Sequence, residues 1–212
     1  TSFSMNYTIG NQIIEVIRLH QGCDAKTARE RTIDILGKVG LPKPEQTIDA
    51  YPFALSGGMR QRAMIAMALS CHPSLLVADE PTTALDVTIQ AQVLDLMRQL
   101  QQELGMALVV ITHDLAVISE LCDRVMIMYL GIDVESAPAD ELFRNPKHPY
   151  TVGLLHSVPK LGAGKQQILE AIKGTVPTPY ERSTGCPFHP RCPAFIPGTC
   201  DVVLPPQVEV AR

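Results

Sequence analysis

Long hydrophobic runs are missing from this sequence of 212 residues, although 46% of its residues are hydrophobic. The apolar runs at residues 106–112 and 125–130 have the length of a strand. A helix that spans a bilayer needs about 20 apolar residues. We therefore expect no membrane-spanning helix, so any role at a membrane depends on a partner protein.

A strong basic charge is also missing. The formal net charge is −4, which gives no electrostatic reason to expect a nucleic-acid partner. Residues 1–11 are polar and contain no basic stretch followed by an apolar run, so we expect no signal peptide. Charged residues make up 19% of the chain and hydrophobic residues 46%, so the chain has enough apolar residues to form a core.

Two helices are predicted in the first 50 residues, which contain no predicted strand. Asp24 is suited to cap the second helix, which Gly40-Leu41-Pro42 ends. The apolar spacing predicts that the first helix starts near Ile9 and buries one face. We expect this face to consist of six residues: Ile9, Ile13, Ile14, Val16, Ile17 and Leu19.

A third helix is predicted from Ser56-Gly57-Gly58 to about Ser70. Ser56 is a good N-cap, and the two glycines let a ligand approach the backbone closely. The free N–H groups at a helix start favour a phosphate. An ordinary capped helix start explains the same residues, so this motif alone is a weak signal.

Two apolar runs that follow are predicted to be strands buried on both faces. The first, Leu75-Leu76-Val77-Ala78, ends in Asp79-Glu80, and the second, residues 106–111, ends in Thr112-His113-Asp114. Ligands bind at the carboxyl ends of parallel strands. An Asp there can hold Mg²⁺, a Glu can activate a water, and a His can donate to a phosphate.

The alternation of strands and helices predicts a parallel sheet with right-handed crossovers. A helix over residues 87–104 separates the first two strands, and Gly105 ends it. A helix over residues 115–122 leads to a third strand over residues 124–129. We expect this third strand to join the same parallel sheet.

The order of these motifs resembles the second half of an ABC-type ATPase domain. The Ser-Gly-Gly helix, Asp79-Glu80, Ala84-Leu85-Asp86 and His113 correspond to the signature, Walker B, D-loop and H-loop motifs. The resemblance implies an α/β fold, a partial P-loop NTPase (RecA-like) parallel sheet with a helical subdomain before it and an irregular tail after it. The implied domains are residues 1–55, 56–160 and 161–212.

The same resemblance implies roles for single residues. Glu80 is the general base, His113 senses the γ-phosphate, and Asp79 serves Mg²⁺. The remaining implied contacts reach the ATP of a second subunit across a dimer, and they come from Ser56, Gly57, Gly58, Gln61 and Asp86. The expected cofactors are therefore ATP and Mg²⁺.

The C-terminal part resembles the tail of peptide and nickel importers. Two segments carry this likeness, His148-Pro149-Tyr150-Thr151 and the stretch from Gly185 to Pro193. It implies a subunit that energises an importer, with a second ABC ATPase subunit, membrane permease subunits and, indirectly, a solute-binding protein as partners. Its place is then the cytoplasmic face of the cell membrane. A soluble ABC ATPase of DNA repair or translation and a non-catalytic interaction remnant are the alternatives.

The phosphate-binding pattern G-x-x-x-x-G-K-[ST] is missing. Gly162-Ala163-Gly164-Lys165 is a partial match that does not follow a strand. By resemblance this loop, the adenine-stacking aromatic residue and the Q-loop lie before Thr1. We therefore expect an incomplete subunit, and we expect residues 1–212 alone neither to bind ATP tightly nor to hydrolyse it.

Three clustered cysteines, Cys186, Cys192 and Cys200, lie in a proline-rich tail without helical or strand periodicity. Resemblance to importer tails implies a [4Fe–4S] cluster, for which the chain contains three of four thiolates. A zinc site that adds His189 is one alternative. Reduced thiols packed among the prolines are the other.

Overall fold

A computed structural model describes residues 3–83, 85–157, 172–178 and 184–210. The chain divides into two compact units, Thr1–Leu121 and Cys122–Arg212. The border predicted between residues 55 and 56 stays a prediction. The border predicted after residue 160, the partial phosphate-loop match at residues 162–165 and Ala84 of the D-loop lie outside the described residues.

Capping side chains determine where the first two helices begin. Helix α1, Ile9–Gln21, begins where the Thr8 side chain accepts from the backbone N–H of Asn11, and it ends at Gly22. Helix α2, Ala25–Lys38, begins where the Asp24 side chain accepts from the backbone N–H of Thr27. The predicted capping role of Asp24 is confirmed.

The buried face of α1 is narrower than predicted. Ile9, Ile13 and Ile17 are fully buried, whereas Leu19 is 76% exposed. Successive helical residues turn by about 100°, so Leu19 points about 200° away from Ile17 and lies on the opposite side. The prediction that Leu19 belongs to the core was wrong for this reason.

The backbone of α1 approaches the loop after α3 (Pro44–Thr47) closely at Gly10. The Gly10 N–H donates to the Ile48 carbonyl oxygen over 2.7 Å. A Cβ at Gly10 would lie 2.2 Å from the Ile48 side chain and 2.5 Å from its carbonyl oxygen. A side chain has no room there, so glycine fixes this junction.

The first unit also contains α4 (Gly57–Leu69), α5 (Val87–Leu104) and α6 (Leu115–Leu121). Ser56 caps α4, and Gly105, in the left-handed conformation, ends α5. These bounds agree with the sequence predictions to within one residue. One continuous apolar core includes residues of α1, α2, α4 and α5.

Strands β1 (Leu75–Asp79) and β2 (Ala107–Ile111) pair in parallel, with Leu75 opposite Ala107 and Asp79 opposite Ile111. Leu76, Ala78 and Leu108 pack against the core. The prediction that both faces are buried was wrong, because side chains alternate along a strand and every second one here points outward. The outward apolar residues are about half exposed: Leu75, Val77, Val109 and Ile111.

The second unit contains an antiparallel pair. Strand β3, Arg124–Tyr129, pairs with β4, Ile132–Pro138, through a turn at Gly131, where φ is 78°. The expectation that residues 124–129 form a third parallel strand was wrong, because this strand's hydrogen-bonded neighbour in the described chain is β4. A tight turn joins antiparallel strands, whereas parallel ones need a long crossover. Strand β4 was not predicted from the sequence.

Helices α7 (Ala139–Arg144) and α8 (Pro149–His156) follow β4. The tail is irregular, as predicted, with one short 3₁₀ turn over His189–Arg191. Phe188 of the tail is 1% exposed and packs edge-on against Tyr129, which orders the tail without a regular element. Among the described residues, no helix has both the length and the apolar character needed to cross a bilayer.

Candidate functional site

Glu80 and His113 meet at the carboxyl ends of the two parallel strands. Each follows its strand directly or within two residues, and the Glu80 N–H donates to the Ile111 carbonyl oxygen over 2.8 Å. The Glu80 Oε1 atom lies 2.8 Å from His113 Nδ1 and accepts the His113 backbone N–H over 3.3 Å. The strand register therefore brings together the two residues that were predicted to be catalytic.

The backbone of Glu80 adopts the left-handed conformation, with φ at 48°. A residue with a large side chain seldom adopts this conformation, because its Cβ crowds the backbone. It turns the chain sharply off β1 before the buried Pro81. Strain of this kind concentrates at functional sites.

Thr83 is a neighbour of Glu80 that was not predicted from the sequence. Its hydroxyl donates to Glu80 Oε2 over 2.7 Å. A signal was present in the sequence, because a hydroxyl three residues after a carboxylate in a turn can reach back to it. None of the roles that the resemblance implies belongs to Thr83.

Each member of the pair favours the charged form of the other. The Thr83 hydroxyl, followed by the His113 imidazole, lowers the pKa of Glu80 below its ordinary value. The Glu80 carboxylate raises the pKa of His113. His113 is 83% exposed and Glu80 36% exposed, so both are accessible to a ligand and the attraction between them is screened by water.

Asp79 ends β1, and its side chain is exposed. A Mg²⁺ ion bound with a nucleotide takes one or two protein carboxylates and fills its other positions with phosphate oxygens and water. An exposed carboxylate at a strand end fits that donor set. Asp79 is therefore the residue here that could hold Mg²⁺.

The start of α4 is an ordinary capped helix in its local geometry. The Ser56 hydroxyl accepts the Met59 N–H over 3.3 Å, and Gln61 is half-buried one turn further on. A Cβ at Gly58 would lie 2.6 Å from the Ile89 side chain, so Gly58 is needed for packing against α5. Gly57 is open by comparison, with its nearest neighbour, Leu85, at 3.8 Å from such a Cβ.

Asp86 caps α5, because its Oδ1 atom accepts the Ile89 N–H over 3.0 Å. One turn later, Gln90 donates to Asp114 over 3.1 Å, next to His113. The structure thus brings the glycines of α4 beside the segment that begins with Leu85-Asp86. It also connects the first turns of α5 to the residue after His113.

The three tail cysteines lie in one folded segment. The Cys186 N–H donates to the Cys200 carbonyl oxygen over 2.8 Å. Burial raises the pKa of the Cys192 thiol, with smaller contributions from Cys186 and Cys200. A Cβ at Gly185 would lie 2.2 Å from the same Cys200 oxygen, so glycine permits this close approach.

The cysteines do not form a metal site in the structure. Within the described ranges, no group of three or more His, Cys, Asp and Glu side chains is placed to hold a metal ion. The [4Fe–4S] expectation is therefore not supported. The zinc alternative has no support either, since the same finding covers His189, which lies among the described residues.

Two family models match separate parts of the chain. The model of the ABC transporter family matches residues 2–83, and that of the oligopeptide/dipeptide transporter C-terminal region matches residues 134–200. The first match includes Ser56, Asp79, Glu80 and Thr83. The second includes most of β4, α7, α8 and the tail cysteines.

Curated relatives that are similar to most of this chain are named as ATP-binding proteins of peptide transport. The chain is 52% identical over 193 residues to the dipeptide transport ATP-binding protein DppD of Haemophilus influenzae. It is 55% identical over 193 residues to the oligopeptide transport ATP-binding protein AppD of Bacillus subtilis. Each match covers 91% of this chain and 58% of the relative, so the chain spans less than two thirds of their length.

A solved structure shares the fold. CbiO1 from Clostridium perfringens, part of the ABC transporter complex CbiONQ, superimposes with a TM-score of 0.59 at 26% identity. The match covers 68% of this chain and 55% of that one. The motif order, both family models, the relatives and this structure agree: the chain belongs to the ABC transporter family, and it carries the C-terminal region of the oligopeptide/dipeptide transporters.

Proposed function

We propose that this chain is part of an ATP-hydrolysing subunit that energises a peptide importer. Two relatives that are more than 50% identical are named as dipeptide and oligopeptide transport proteins, which supports peptides as the cargo. The match of residues 134–200 to the oligopeptide/dipeptide transporter region supports the same cargo. A soluble ABC ATPase of repair or translation would not account for this region.

The observation that carries the proposal is the Glu80–His113 pair at the ends of adjacent parallel strands. A carboxylate with a lowered pKa is ionised at neutral pH, so Glu80 can orient and deprotonate an attacking water. His113, next to it, can donate a hydrogen bond to the terminal phosphate that the water attacks. The two groups therefore suit in-line attack on a γ-phosphate.

The other predicted residues have roles around this pair in the proposal. Asp79 would hold Mg²⁺, which would neutralise charge on the phosphates. Asp86 and the start of α4 meet the ATP of a second subunit. The α4 residues are Ser56, Gly57, Gly58 and Gln61.

The proposed partners follow from the family. They are a second ATP-binding subunit, the permease subunits of the importer and, indirectly, a solute-binding protein. The place of action is the cytoplasmic face of the cell membrane. Because the sequence contains no G-x-x-x-x-G-K-[ST], we expect residues 1–212 alone to bind ATP weakly and not to hydrolyse it. Calorimetry with Mg-ATP on the 212-residue chain tests this, and tight binding would refute it.

The test of the catalytic proposal uses the subunit extended to the length of its relatives and assembled with its permease. Glu80→Gln keeps the size of the side chain and removes the base. We expect ATP turnover to fall by about 100-fold or more, since general base catalysis contributes about 10²–10⁴-fold. Glu103→Gln, on an exposed part of α5, is the matched control and keeps turnover. Unchanged turnover in the Glu80 variant would refute the proposal.

A further inference from the structure

Thr83 is placed by the turn that follows β1. Its backbone N–H donates to the Glu80 carbonyl oxygen over 3.3 Å, which closes the turn. Pro81 and Thr82, the two residues between, are buried. The turn therefore holds the Thr83 side chain beside the Glu80 side chain, independently of any ligand.

The two oxygens of the Glu80 carboxylate have different partners. Oε1 contacts His113 twice, through the ring Nδ1 at 2.8 Å and the backbone N–H at 3.3 Å. Oε2 accepts the Thr83 hydroxyl at 2.7 Å, and no other donor to it is found in the part of the chain that the structure describes. A carboxylate bound at both oxygens has a fixed plane.

The fixed plane matters because the terminal torsion of a Glu side chain is broad and turns freely unless its oxygens are held. Each carboxylate oxygen has two lone pairs, so contacts from Thr83 and His113 leave capacity for a water. A general base must lie within hydrogen-bond reach of the proton that it removes, in a defined direction. Loss of the Thr83 contact releases one end of the carboxylate and leaves it tethered at His113 alone.

We propose that Thr83 is a positioning residue that orients the Glu80 carboxylate for water activation. The inference rests on the proposed ATP hydrolysis. It assigns Thr83 no contact with ATP, so its effect falls on turnover and not on nucleotide binding. Serine keeps the hydroxyl and can fill the role, whereas valine keeps the shape without the donor.

The experiment compares Thr83→Val and Thr83→Ser in the assembled importer. We expect Thr83→Val to lower kcat by about ten-fold with KM for ATP unchanged within about two-fold, as for loss of an interaction that orients the base. Thr83→Ser returns kcat to within about two-fold of the parent. Thr88→Val, the same change at an exposed position of α5, leaves both constants unchanged.

A second measurement needs no activity. In the 212-residue chain labelled with ¹⁵N, Thr83→Val shifts the His113 backbone amide and ring resonances, because that amide and that ring contact the carboxylate which Thr83 holds. Thr83→Ser restores them, and Thr88→Val does not move them. Thr83→Ala removes the same hydroxyl and replaces the valine variant where the latter fails to fold.

The outcomes separate the two proposals. Parent-like kcat in Thr83→Val, while Glu80→Gln is inactive, overturns the role of Thr83 and leaves the proposed function intact. Full turnover in Glu80→Gln overturns the proposed function itself. A Thr83→Ser variant as slow as Thr83→Val also overturns the inference, since the hydroxyl would then not be the group that acts.

Discussion

The helices of the first unit and its two parallel strands differ in how completely they are covered. Ile9, Ile13 and Ile17 of α1 are fully buried, whereas Val77 of β1 and Ile111 of β2 are more than half exposed. The helices therefore derive their stability from a closed core. The strands, which position Glu80 and His113, contribute one face to that core and expose the other.

The residues that attach the strands to the core are different from the residues at the strand ends. Leu76 and Ala78 attach β1 to the core that α1, α2, α4 and α5 build. Glu80 and His113 stand at the ends of the strands, where both are exposed to solvent. The residues that stabilise the unit are thus different from those of the candidate site, and substitutions should distinguish the two sets.

The largest expected effect is in the helical core. Ile13→Ala removes a fully buried side chain and leaves a cavity, which we expect to lower the free energy of unfolding by about 2–5 kcal/mol. Urea unfolding followed by far-UV circular dichroism measures this change, because helices dominate that signal. A loss below about 1 kcal/mol would mean that the helical core is not the main support.

Glycine substitutions in two helices should have opposite signs. Gly10→Ala forces a Cβ against the Ile48 backbone, and we expect a loss of about 1–3 kcal/mol. Gly37→Ala, in α2, is the matched control, since its Cβ would lie at an ordinary 3.6 Å from Pro44. That change should stabilise by up to about 1 kcal/mol through helix propensity. Equal effects in urea unfolding would contradict the close approach at Gly10.

The Asp24 cap of α2 predicts that the stability of the fold depends on pH. The Thr27 backbone N–H, with the Thr27 hydroxyl, holds the pKa of Asp24 below its ordinary value. A carboxylate whose folded pKa is lowered stabilises the fold above its unfolded pKa of about 4, and this stabilisation disappears as the pH falls through the folded pKa.

Asp24→Ala should therefore lower the urea midpoint at pH 7, and its difference from the parent should shrink below about pH 4. Asp24→Asn also caps a helix and does not titrate, so it serves as the control. A difference between parent and Asp24→Ala that is constant with pH would refute the ionised cap.

The smallest effect is expected on the outer face of β1. Val77 is 56% exposed, and Val77→Thr keeps its branched shape and strand preference. We expect a change within about 0.5 kcal/mol in the same urea assay. A loss comparable to that of Ile13→Ala would mean that another surface covers this face in solution, and the contrast between helices and strands would fail.

Much of the fold could be predicted where the signals are local. The helix bounds at Asp24, Ser56 and Gly105 follow from side-chain caps and a left-handed glycine, which depend on a few neighbouring residues. The coverage of β1 could not be predicted, because an apolar run does not tell whether one face or two are packed. The partner of β3 was equally hidden, since β4 contains Asp133 and Glu135 and has weak strand character.

The part of the site that could be predicted is the part that lies at the carboxyl ends of the parallel strands. Glu80 and His113 were expected at the carboxyl ends of two parallel strands, and the structure places them in contact. Thr83 and the packing role of Gly58 were missed, because both depend on three-dimensional neighbours that motif spacing does not specify. The [4Fe–4S] cluster that the resemblance implied for the tail cysteines is not supported, because among the described residues no group of three or more His, Cys, Asp and Glu side chains is placed to hold a metal ion.

At residue 80, the left-handed backbone conformation and the proposed activity favour different amino acids. Glycine adopts this conformation without strain, so Glu80→Gly would relax the turn after β1 while it removes the carboxylate. Stability alone would favour glycine there, and the proposed hydrolysis alone favours glutamate. A chain free of selection for ATP turnover should therefore drift away from glutamate at this position, which makes residue 80 a marker of whether a homologue is still an active enzyme.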